Sequence, residues 1–276
     1  MKTKTLLIAA AALAVGVISS QAQVYSQNVV GYVNQVIPGN SYQIVGSQLV
    51  GGSDVNNTNG DINTTLVNGF ISSPNDPPSS SSNSVIYVWN GAGYAQYFFF
   101  NAADAVSWGA SSNVSGWYNL NGDMAPVSLN NGQAAFIYNH SASPMTITTV
   151  GNVKQGTNYA TINAGYNLIA LQEPISTNPI VSGYGLPQNL TSSPQDPPIP
   201  ARNDTIFIWS GSGYSQYSFF NAADAATWGA AAPQTADFYN LNGDHLPSSS
   251  YPQVNQGFFL YHTGSPLTWT NAYTVQ

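Results

Sequence analysis

Residues 83–110, NSVIYVWNGAGYAQYFFFNAADAVSWGA, return at 203–230 as NDTIFIWSGSGYSQYSFFNAADAATWGA. The displacement is 120 residues without a gap, and 18 of the 28 positions are identical. A match that long is a duplication, so the fold must be one that accommodates the same unit twice.

Inside the repeated stretch the pattern is strand, turn, strand. Val85, Tyr87 and Trp89 share one face of a period-2 strand, and Ile86 and Val88 the other. Thr205, Phe207 and Trp209 against Ile206 and Ile208 repeat the arrangement. Apolar residues on both faces predict a central strand covered on both sides, with Trp89 and Trp209 in the core. The glycines of Asn90-Gly91-Ala92-Gly93 and Ser210-Gly211-Ser212-Gly213 close a hairpin onto a second aromatic strand, Tyr94 to Phe100 and Tyr214 to Phe220. Asn101 and Asn221 then read as N-caps of a single helical turn, one per copy.

The rest of the chain fits two β-rich copies behind a leader. Lys2 and Lys4, the apolar run Leu6 to Ile18, and Ser20-Gln21-Ala22 read as a signal peptide over residues 1–22. The first copy is expected over 23–148 and the second over 149–276. Val150-Gly151-Asn152-Val153 echoes Val30-Gly31-Tyr32-Val33, and Gln256-Gly257-Phe258-Phe259-Leu260-Tyr261 answers Gln133 to Tyr138. Each copy of about 125 residues offers about seven strands at sandwich-like or barrel-like spacing. The fold class is therefore all-β.

Composition narrows the function. Charged residues are 5% of the chain, against about 25% in typical soluble domains. Only Lys154 and Arg202 remain basic once the leader is gone, and the formal charge moves from −7 to −9. Such a chain has no electrostatic footprint for nucleic acid or anionic lipid. Cysteine is absent, which excludes disulfides, thiolate metal sites and a lipoprotein anchor.

The leader, the Val-Gly-Tyr-Val start, the aromatic hairpin, the Trp117-Tyr118-Asn119 turn and the Gln256 to Tyr261 strand resemble a group of uncharacterised secreted tandem-repeat β-proteins of the Verrucomicrobia type. The resemblance covers nearly the whole mature chain. It implies a secreted β-repeat protein and carries over no catalytic residue.

Three aspartate pairs stand at matching places: Asp76 and Asp196, Asp104 and Asp224, Asp123 and Asp244. One calcium site per copy is a possible reading; a local role for each, before a proline pair, in the short helix and in an Asn-Gly-Asp turn, is the favoured one. The 54–61 loop departs from an EF-hand in its glycine position and lacks the closing glutamate. His140, His245 and His262 have no histidine counterparts in the other copy, and Glu173 is the only glutamate. No motif with a catalytic mechanism is present. Paired aromatics remain, with Trp108, Trp228, Tyr94 and Tyr214 as the candidate ligand-binding residues. The expected function is a secreted, non-catalytic protein that is structural or surface-associated, with carbohydrate binding through exposed aromatics as the alternative. Neither metal nor cofactor is expected. The expected partners are itself or an extracellular or cell-surface polysaccharide, and the destination is extracellular, cell-surface or periplasmic.

Overall fold

The computed structural model describes residues 29–50, 62, 66, 69–180, 185–186 and 189–274. The expected leader, residues 1–22, and the 54–61 segment lie outside the described residues. The first copy runs β1 (Val29–Ile37), β2 (Ser41–Gly46), β3 (Leu49–Val50), β4 (Val85–Trp89), β5 (Tyr94–Phe100), α1 (Ala102–Trp108), β6 (Gly116–Tyr118), β7 (Ala134–Asn139) and β8 (Met145–Val153). The second runs β9 (Gly156–Ile162), β10 (Gly165–Ala170), β11 (Thr205–Trp209), β12 (Tyr214–Phe220), α2 (Ala222–Trp228), β13 (Asp237–Tyr239), β14 (Gly257–His262) and β15 (Leu267–Tyr273). The chain is all-β, and among the described residues it carries two seven-residue α-helices and one 3-10 turn at Ser248–Ser250.

Each copy is built on a five-stranded antiparallel sheet of the same order. These are β2-β7-β4-β5-β6 in the first and β10-β14-β11-β12-β13 in the second. A smaller sheet covers one face of each, β1-β8-β3 and β15-β9 respectively. The core of the first copy lies between its two sheets, around Ile37, Ile86, Phe99, Trp117 and Ile137. The matching core holds Ile162, Ile206, Phe219, Phe258 and Trp269. Trp117 and Trp269 are fully buried, and their indole N–H groups donate to the backbone carbonyls of Leu66 at 2.7 Å and Gly185 at 2.8 Å. A buried donor left without such a partner would cost about 1–3 kcal/mol.

The hairpin and cap expectations hold. Trp89 pairs with Tyr94 and Trp209 with Tyr214 across the glycine turns. Asn101 and Asn221 accept from the amides of Asp104 and Asp224, both at 2.9 Å. The helices run seven residues rather than a single turn, because Gly109 and Gly229 close them in the left-handed conformation at φ 84° and 85°.

The division between copies expected at 148 and 149 is corrected: it falls inside β8. Val30 and Gly31 face Asn152 and Gly151 across the β1–β8 ladder. The sequence echo thus marks two paired strands of one copy. The structural counterpart of β1 is β9, and that of β8 is β15. The change of copy lies between Val153 and Gly156.

Candidate functional site: twin aromatic clefts at the seam

Alternation sends one set of side chains from each large sheet away from its own core. On β4 that set is Val85, Tyr87 and Trp89, and on β11 Thr205, Phe207 and Trp209. Part of this face meets its counterpart on the other copy. Ile44, Ala134 and Phe136 pack there against Leu168, Ala170 and Phe259, with Trp89 and Trp209 alongside. At the centre the backbones approach closely. A Cβ on Gly46 would collide with Ala170, and one on Gly257 with Ala134. Gly46 and Ala170 occupy matching positions at the ends of β2 and β10, and Ala134 and Gly257 at the starts of β7 and β14. The seam is therefore an approximate twofold in which each glycine faces an alanine.

Hydrogen bonds and rings follow the same symmetry. The Trp89 indole donates to the Tyr166 carbonyl and the Trp209 indole to the Tyr42 carbonyl, both at 2.9 Å. Trp89 meets Tyr94, and Trp209 meets Tyr214, edge-on at 5.0 Å. Trp89 also reaches Phe259, and Trp209 reaches Phe136, both at 5.9 Å across the seam.

Two open clefts result, lined by aromatic rings alone. The first, about 270 Å³, is walled by Tyr42, Tyr87, Tyr94, Phe136, Trp209 and Tyr214. The second, about 320 Å³, is walled by Tyr166, Phe207, Tyr214, Phe259, Trp89 and Tyr94. Position by position, the second set is the first carried across the twofold. Tyr94 and Tyr214 belong to both clefts and stand 43% and 46% exposed. Burial pushes the Tyr94 phenol up to about 12 and the Tyr214 phenol above its ordinary range. Burial, and then the neighbouring Tyr42, does the same to Tyr87. The phenols therefore stay neutral and keep their protons for donation. With no charge in either wall, an ion entering a cleft would lose hydration without compensation.

Of the residues singled out from sequence, Tyr94 and Tyr214 come together here. Trp108 and Trp228 do not. Each ends its helix and folds back onto a phenylalanine of its own sheet, Trp108 on Phe100 and Trp228 on Phe220, both stacked at 4.5 Å. One face of each indole is covered, leaving a smaller platform than expected. Trp89 and Trp209, expected in the core, are half-buried rims between copies. Sequence reading missed Tyr42, Tyr166, Phe136 and Phe259, although each stands at a matched place in a matched strand.

The aspartates serve separate places. Asp104 and Asp224 accept from Ser72 and Ser192, both at 2.5 Å, and from their capping asparagines. Asp123 and Asp244 accept from Asn119 and Asn240 in their turns. Among the described residues no group of three His, Asp or Glu is placed to hold a metal. His262 reaches Asp204 at 2.7 Å through one nitrogen and the Ser265 carbonyl at 2.8 Å through the other. His245 is held likewise by Asp237 and the Pro233 carbonyl. Both nitrogens of each ring therefore face acceptors, a carboxylate and a backbone carbonyl. Among the described residues no helix is long and apolar enough to cross a membrane. Comparison with protein-family models, curated proteins and solved structures gives no match.

Proposed function

We propose that this is a secreted, non-catalytic protein that binds neutral saccharide chains in the twin aromatic clefts. The observation that carries the reading is the exposed pair Tyr94 and Tyr214, each serving both clefts. Flat rings cover the C–H faces of pyranose units, and the neutral phenols hydrogen-bond their hydroxyls. The leader and the resemblance to secreted repeat proteins support export, which puts extracellular or cell-surface polysaccharide within reach.

A structural, self-associating role has one observation in its favour. The nine-residue β1 pairs with β8 alone among the described strands, leaving an open edge that carries Tyr32 and Val36 outward. The large sheets offer less, since their edge strands β6 and β13 have three residues each. Their opposite edge strands, β2 and β10, lie against the other copy.

Affinity electrophoresis in gels containing neutral polysaccharides tests the reading. The parent should be retarded in at least one gel, and Tyr94→Ala/Tyr214→Ala should run free while still melting cooperatively, at a temperature lowered by the lost ring contacts. Unretarded migration of the parent in every gel would overturn saccharide binding. Concentration-dependent light scattering in that case would favour self-association.

A further inference from the structure

Trp89 and Tyr166 wall a second space besides the aromatic cleft. A groove of about 720 Å³ borders them, within the usual volume of a ligand site. Its lining differs in kind from the clefts. Asn90 comes from the β4–β5 turn, Asn130 and Gln133 from the loop before β7, Tyr159 and Thr161 from β9, and Thr268 from β15. No residue that lines it is charged.

The copies diverge at this groove. In the first copy Gln35 stands opposite Ile147, two residues before the buried Ile37. In the second, Ala160 stands opposite Trp269, two residues before the buried Ile162. The Gln35 side chain is folded inward and donates to the Ile44 carbonyl at 3.2 Å. Ala160 cannot reach that far, and Leu168, the counterpart of Ile44, lines the groove instead. At the same edge Asn34 is replaced by Tyr159, whose ring is 66% exposed.

We propose that the groove is a hydroxyl-reading extension of the second cleft, occupied by the continuing end of a neutral oligosaccharide. The inference rests on the saccharide reading of the clefts and adds a length and a direction to it. The side-chain oxygens of Asn90 and Gln133 already accept backbone amides, which leaves their NH2 groups as donors beside the threonine hydroxyls, a set that suits vicinal sugar hydroxyls. An apolar ligand would leave these donors without partners, and a charged one would find no counter-charge. Tyr159 supplies a second flat platform beyond Trp89 and Tyr166. A chain entering the second cleft passes the Trp89–Tyr166 rim into polar surroundings.

Calorimetric titration of the full mature protein with cellobiose and cellohexaose, maltose and maltohexaose, and mannobiose and mannohexaose tests this. Two variants, each first shown to melt cooperatively like the parent, are informative. Ala160→Gln refills the groove with the first copy's side chain. Thr161→Val/Thr268→Val removes two exposed hydroxyls without changing shape. One six-unit sugar should bind the parent at least tenfold more tightly than its two-unit form. Each variant should cost that sugar roughly tenfold, the worth of one or two hydrogen bonds, and leave the two-unit form unchanged. Equal affinity for both lengths, or variants indifferent to length, would overturn the extension while leaving the clefts standing. Failure of the parent to bind any of the six sugars would remove the saccharide reading and the extension with it.

Discussion

Glu173 gives the fold a pH dependence that one substitution should abolish. Its carboxylate is 1% exposed and receives Asn158 from β9 at 3.5 Å and Asn271 from β15 at 3.1 Å. Its counterpart in the first copy, after the end of β2, is the buried Leu49. Burial outweighs the two amide hydrogen bonds and pushes the carboxyl from the ordinary 4.5 up to about 7. The folded protein therefore holds a proton between these values that the unfolded chain releases. Stability from this group is fully present below pH 4.5, falls as pH rises, and levels off above about 7. A shift of this size is worth roughly 3 kcal/mol, a large part of the ~5–15 that holds a domain together. Urea melts of the parent and Glu173→Gln at half-unit steps from pH 4 to 8 read the effect directly. The variant should lack this descent and be the more stable protein at pH 8. A stability difference between the two that stays constant across the range would refute the reasoning.

Two further predictions use one copy as the template for the other. Asp204 and His262 occupy the places of Ser84 and Asn139 and share a buried 2.7 Å contact, so Asp204→Ser or His262→Asn alone should cost about 1–3 kcal/mol by leaving a buried polar group short of a partner. The double variant should recover most of that loss in urea melts. At the seam, Gly46→Ala should cost about 1–3 kcal/mol by overpacking against Ala170. Adding Ala170→Gly should restore the melting temperature, because the exchange only reverses the twofold.

The duplication, the aromatic hairpins and the helix caps were legible because each rests on local chemistry: spacing, glycine turns and an asparagine before a short helical run. The alternation on β4 and β11 showed that both faces were covered, but not by what. One face meets its own small sheet and the other meets the second copy, so Trp89 and Trp209 became rims rather than core. Trp108 and Trp228 were hard to place for a related reason. Where their indoles lie depends on Gly109 and Gly229 ending the helices and turning the rings onto Phe100 and Phe220. The likeness of residues 150–153 to 30–33 misled because paired antiparallel strands can share a pattern as readily as repeats do. Tyr42, Tyr166, Phe136 and Phe259 matter only in the assembled seam. Their matched positions in paired strands were the available signal.

The most direct test of the central claim is diffraction from crystals of the protein grown with whichever neutral hexasaccharide it retains. The account predicts sugar density against Tyr94 and Tyr214, with the Trp89 and Trp209 indoles still bonded to the carbonyls of Tyr166 and Tyr42. Sugar density on Trp108 or Trp228 with both clefts empty would contradict it.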